Sequence, residues 1–341
     1  MQQIFPMIKP FETTGIGSLP FTDPDEAVRL VLEHCDIPFW PQLPHRTFKE
    51  FMVPQYSEGL PGVVVDTDRE KVLVEQAGQD DLNRFYELYS AGEDFPVSEE
   101  YSSGFYAFLD AIKGRQFRVL KGQITGPLTF TLGLKDVEGR YIYFNEELRE
   151  MASLLLQRKA QWQVKVLSGF AEKVIIFIDE PILSAIGSSS YLGVESAEAE
   201  RLLRDTVEAI HSVGALAGIH CCGKADWGML IRTGVDILNF DAYDYFETLQ
   251  IYTDDLEDFF RRGGYLAWGI VPTTGAIQNE RLEVLKERLL GRLNDLSSRI
   301  PEDLITKHSI LTPSCGAGSR TEEEAKKVFS FLKSLGETMK Q

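Results

Sequence analysis

The chain has 341 residues, 43% hydrophobic and 11% aromatic, which is enough apolar material for a sizeable core and excludes general disorder. Lys and Arg number 35 against 52 Asp and Glu, a net charge of −17. A surface this acidic repels phosphate backbones, so neither nucleic acid nor an anionic membrane is an expected partner.

The N-terminus MQQIFPMIKPF lacks the basic start and long apolar run of a signal peptide, and no run of about 18 apolar residues is present to span a membrane. TTGIGSLP (13–20) then reads as a strand and its turn, followed by the capped helix DPDEAVRLVLEHC. IPFWPQLP (37–44) is a short, Pro-bounded second strand. Within 45–117, PGVVVDTDREKVLVE (61–75) alternates around a polar middle as a hairpin does, and helices are expected near 78–91 and 98–113. RVLKGQITGP (118–127) is a third strand, ahead of a helix near 146–168. Five nearly continuous apolar runs follow: KVIIFIDEP (173–181), ALAGIHCCG (215–223), VDILNFDAY (235–243), YLAWGIVPT (265–273) and HSILTPSCG (308–316). Such runs suit strands covered on both faces. Amphipathic helices separate them, among them SAEAERLLRDTVEAIHSVG and RLEVLKERLLGRLNDLSSRI, and Thr321 with Glu324 forms a capping box at the start of the last helix.

The count is eight strand–helix units. It predicts an α/β fold: a single (β/α)8 TIM barrel over 1–341, with an insertion of about 45–117 after the second strand. An open eight-stranded sheet is the alternative.

Four cysteines, two of them the neighbours Cys221 and Cys222, make no disulfide framework. Reduced thiols of a cytoplasmic protein, free for metal or catalysis, are expected. His220, Cys221 and Cys222 end one predicted strand. Alternation puts His220 and Cys222 on one side and Cys221 on the other. Asp241 ends the next strand, and Cys315 ends the strand two further on. In a barrel all three ends meet at the C-terminal mouth, and Cys, Cys and His with a carboxylate suit Zn²⁺. The bland alternative, buried thiols acting as small hydrophobes, is preferred for Cys221 and for Cys35 beside His34.

Asp179 and Glu180 end another strand, where a carboxylate reads as substrate-binding or catalytic, and alternation does not say which of the two faces inward. Gly15, Ile16, Gly17 and Ser18 form a Gly-rich turn able to present backbone N–H groups to a carboxylate, and Thr125, Gly126 and Pro127 form a similar one.

TTGIGSLP, GQITGP, FIDEP, IHCCG, ILNFD and LTPSCG, in that order, resemble the catalytic barrel of cobalamin-independent methionine synthase. More broadly they resemble its superfamily with uroporphyrinogen decarboxylase and the zinc methyltransferases acting on methylcorrinoids. The resemblance implies Zn²⁺ held by His220, Cys222, Asp241 and Cys315, with Asp where the family's methionine synthases usually carry Glu. It implies that Gly17 and Ser18 contact the amino-acid part of a homocysteine-like thiol, and that Asp179, the catalytic and substrate-binding carboxylate, takes its amino group. A further glutamate of the family's amino-acid site has no match in 61–90.

The expected activity is therefore methyl transfer to a thiol. A single barrel favours a methylcorrinoid protein over methyltetrahydrofolate as donor, with Phe85, Tyr86, Tyr89 and Phe95 either a docking face for it or the small core of the insertion. Two rival readings are a metal-free decarboxylase-like lyase and a non-catalytic zinc-containing docking module.

Overall fold

A computed structural model describes residues 7–187, 191 and 193–340; residues 1–6, part of the N-terminus read above as lacking a leader, lie outside it. The strands in chain order are β1 (Glu12–Thr13), β2 (Val63–Asp66), β3 (Lys71–Val74), β4 (Phe117–Thr125), β5 (Ala171–Asp179), β6 (Leu216–Cys221), β7 (Ile237–Phe240), β8 (Tyr265–Val271) and β9 (Ser309–Pro313). Seven of them form one curled parallel sheet in the order β1-β9-β8-β7-β6-β5-β4. The apolar runs thus became strands in the expected order, with helices packed against their outer face.

The expected second strand departs from a ladder. Segment 37–42 touches both edges of the sheet: Ile37 N–H donates to Thr13 O and Gln42 N–H to Gly17 O on the β1 side, and Lys121 N–H of β4 donates to Pro38 O. Only isolated parallel bridges result, Ser18 with Gln42 and Phe39 with Lys121. Pro38 and Pro41 have no N–H to give, so a continuous ladder is denied at this position.

The inward face of the sheet has two chemically distinct levels. Val119, Ile175, Phe177, Ile237, Ala267 and Ile310 form a buried apolar cluster at the N-terminal end. Two residues further along β4, β5 and β7, the same faces carry Lys121, Asp179 and Asn239, all buried. A period of two places these side chains above the apolar layer, toward the strands' C-terminal ends. Close packing fixes this register: a Cβ on Gly218 of β6 would stand 2.4 Å from the Phe177 ring.

Residues 45–117 hold the antiparallel hairpin β2–β3, outside the main sheet, and helices Gln79–Ser90 and Ser103–Ala111. The aromatic residues of this region are largely internal. Phe85 and Phe95 are buried with ring centroids 5.5 Å apart, and Tyr89 lies under the Arg158 guanidinium; Tyr86 is the one of the four that is exposed. Core packing therefore displaces the docking-face reading. Among the described residues no helix is long and apolar enough to cross a membrane.

Candidate metal centre and substrate cavity

His220 sits at the end of β6, with Asp179 of β5 and Asn239 of β7 as its neighbours across the sheet. One ligand atom each from His220, Cys222 and Cys315 lie within 4.8 Å of one another. Cys221 packs instead into the hydrophobic core, and burial pushes its thiol up to about 12.

The tautomer of His220 follows from its neighbour. Asn239 spends both amide protons elsewhere, on Ala267 O at 2.9 Å and Thr312 Oγ1 at 2.7 Å. Its Oδ1 must then accept from His220 Nδ1. This leaves Nε2 with its lone pair, buried and without a hydrogen-bond partner. A ring nitrogen fixed in this way by a second residue is the usual state of a metal-ligating histidine.

The thiols are equally suited to a cation. A hydrogen bond from Cys315, with His220 beside it, pulls the Cys222 thiol well below its ordinary range, and the same bond pushes Cys315 up. Burial alone would lower His220, but Cys222 and Asp179 outweigh it and raise it. One nitrogen and two sulfurs converging in this way are a donor set of the kind that holds Zn²⁺. Asp241 is not among the three converging atoms. Its Oδ1 accepts the N–H groups of Tyr243 and Asp244 at 2.9 and 2.8 Å, and burial raises its carboxyl to about 6, with the nearby charges of Asp244 and Cys222 adding to the rise.

A cavity of about 320 Å³ opens over the cluster, lined among others by Ile16, Ser18, Asp179, His220 and Cys315. Asp179 is the inward member of the acidic pair. Its Oδ1 is buried without a partner, and burial raises the carboxyl to about 6 against the pull of His220 and Lys121.

Glu180 turns outward to the helix Pro127–Gly133. Its carboxylate accepts the N–H groups of Leu128 and Thr129 at 2.8 and 2.7 Å and the Thr129 hydroxyl at 2.6 Å. The Thr125, Gly126 and Pro127 turn does not itself supply these donors: Gly126 N–H goes to Asp179 O, and the N–H groups on the Glu180 carboxylate come from Leu128 and Thr129 just after it. Gly126 is required by this contact, since a Cβ there would lie 2.2 Å from the Glu180 carboxylate. Gly126→Ala is expected to cost about 1–3 kcal/mol by overpacking. A urea unfolding curve identical to that of the parent would show the contact to be slack.

Gly17 and Ser18 sit in the turn after β1. Ser18 lines the cavity, whereas Gly17 is pressed against Gln42, whose Oε1 lies 2.3 Å from where a Cβ would be. Ser18 also braces the loop that carries Cys315: its carbonyl accepts from Ala317 N–H and its hydroxyl from Gly318 N–H.

Three contributors escaped the sequence reading. Asn239 looked like part of an apolar strand, although its position two residues after the inward Ile237 was a usable signal. Lys121 was hidden in the same way. Glu50, from the turn Phe48–Glu50, lines the cavity while accepting from Leu43 N–H and the Ser103 hydroxyl; no periodicity marks it.

No family profile and no curated protein matches the sequence. Among solved structures, a B12-independent methionine synthase from Shewanella sp. W3-18-1, in complex with selenomethionine, matches with a TM-score of 0.64 at 15% identity, covering 97% of this chain and 98% of that one. The chain has the fold of this synthase. Xylanase B from Clostridium stercorarium F9 matches at a TM-score of 0.39 and 11% identity, over 89% of this chain and 86% of that one. The methionine synthase likeness thus covers nearly the whole of both chains.

Proposed function

We propose that the protein is a zinc-dependent methyltransferase that methylates the sulfur of a homocysteine-like amino acid, giving methionine or its analogue. The observation that carries this reading is His220 Nε2, buried and unpartnered, converging with Cys222 and Cys315, where His220 and Cys315 line a cavity that is also lined by Asp179, whose Oδ1 is unpartnered. The methionine synthase fold agrees with it.

His220, Cys222 and Cys315 would hold the Zn²⁺, with Asp241 as the adjacent carboxylate. Bound there, zinc would take the acceptor's thiol as a thiolate at neutral pH, where a free thiol of ordinary pKa near 8.5 is mostly protonated. The remaining work falls to the chain. Asn239 holds the His220 ring. Asp179 takes the acceptor's ammonium group in a site without competing hydrogen bonds. Gly17 and Ser18 meet its carboxylate. Phe51 and Met52 add apolar surface to the cavity lining. Orienting sulfur against methyl carbon is worth up to ~7–11 kcal/mol.

We read 1–341 as one (β/α)8 barrel domain, closed through segment 37–42, with 45–117 built onto it. The four free cysteines suit the reducing cytoplasm. With Phe85 and Phe95 in the core, the donor is a choice between a methylcorrinoid and methyltetrahydrofolate that turnover decides. The test is methyl transfer from each donor to homocysteine and to other thiols, with and without zinc. Zinc-dependent transfer from either donor supports the reading; none to any thiol overturns it.

A further inference from the structure

Lys121 is fully buried on the inward face of β4, where an aliphatic residue would fill the space at lower cost in desolvation. Its ammonium lies 4.5 Å from the Phe177 ring centroid and 5.3 Å from that of Phe39, the paired rings forming a sleeve of the kind that favours a cation. Its hydrogen bonds leave the sleeve at one end, to Ile16 O at 2.6 Å and Gln123 Oε1 at 3.2 Å. Gln123 is itself immobilised: its Nε2 donates to Trp40 O, and its carbonyl accepts from Tyr56 Oη and Gln163 Nε2. Burial lowers the ammonium to about 8, with the charges of Asp179 and Cys35 acting the other way.

The link to Ile16 matters because of where Ile16 sits. In a trans peptide the carbonyl of one residue and the N–H of the next point in opposite directions. With Ile16 O drawn onto Lys121, Gly17 N–H is turned away from Lys121, and the residues on either side of it, Ile16 and Ser18, line the cavity. Among the described residues, neither Gly17 N–H nor Ser18 N–H has an acceptor. The result is a pair of free amides with a buried positive charge behind them, an arrangement that receives a carboxylate.

We infer that Lys121 is a positioning residue for substrate selection: it sets the peptide between Ile16 and Gly17, and it backs that peptide with charge, so that the cavity prefers an acceptor bearing an α-carboxylate. The inference rests on the proposed amino-acid acceptor. It assigns the two ends of that acceptor to different supports, the amine to Asp179 and the carboxylate to the turn held by Lys121.

The test compares two acceptors, homocysteine and its decarboxylated analogue, which keeps thiol and amine. Equilibrium binding to the zinc-loaded protein is measured by calorimetry, so the readout does not depend on methyl transfer. The parent protein is expected to bind homocysteine roughly 10- to 100-fold more tightly than the analogue, as for one or two charge-assisted hydrogen bonds. In Lys121→Met, zinc content should stay as it was and the preference should vanish, homocysteine binding falling to the level of the analogue, while the analogue, which feels Lys121 only through its charge on Asp179, changes by much less. Lys121→Gln, which keeps a hydrogen-bond donor without the charge, should lose most of the preference and serves if the Met variant does not fold. A purely structural role would weaken both acceptors alike, and that result overturns the inference, as does a parent protein that does not distinguish the two. A parent that shows the Lys121-dependent preference and yet transfers no methyl group overturns the proposed reaction and leaves this inference standing.

Discussion

Cys222→Ser and Cys315→Ser are each expected to strip the protein of zinc and to abolish methyl transfer, whereas Cys221→Ser should retain both. Cys221, Cys222 and Cys315 lie at strand ends of one parallel sheet, yet among the described residues it is Cys222 and Cys315 that converge with His220. Loss of a residue that merely orients a metal ligand costs 10–100-fold in affinity, so loss of a ligand should exceed about 100-fold. Asn239→Ala gives the intermediate case, since it frees the His220 ring without removing a ligand. Zinc stoichiometry after dialysis against a weak chelator reads all four variants. Full zinc retention in both Cys222→Ser and Cys315→Ser would end the assignment.

Asp179→Asn is expected to raise the KM for the thiol amino acid by about tenfold or more, the worth of a hydrogen bond to a charged group in a buried site. Zinc content should not change. The carboxylate is buried, one of its oxygens has no partner, and it lines the cavity beside His220, so an ammonium group there would give that oxygen a donor. An acceptor without the amino group should bind parent and variant equally. Unchanged KM for the amino-acid thiol in Asp179→Asn would remove the amine-binding role.

Much of this was legible in the chain because the curled parallel sheet is written in strongly apolar runs. Each run from 173 to 316 became a strand, and the period of two sent His220 inward and Cys221 outward as expected. The acidic pair shows where such reasoning stops. Alternation requires Asp179 and Glu180 to face opposite sides but does not orient them. The inward placement of Ile175 and Phe177 decides it, and that is a property of the folded sheet. Segment 37–42 was harder because its prolines weaken the ladder that would identify it as a strand. Asn239 and Lys121 were invisible for another reason. A polar residue within an apolar run looks like a compromise until its partners, drawn from two or three other strands, are in place. Glu50 belongs to an irregular turn, which carries no periodic signal at all.

The brace between Ser18 and the loop of Cys315 joins positions 300 residues apart in the chain, and the ladder partner of β1 among the described strands is β9. During synthesis, His220 and Cys222 emerge well before Cys315, which arrives with the last strand. Until that strand docks, the chain offers a metal at most two of the three converging ligands, and the turn at Gly17 lacks its neighbour. On the proposed reading, tight zinc uptake would mark the closing of the fold, and a chain stalled before β9 should hold the metal weakly enough to surrender it.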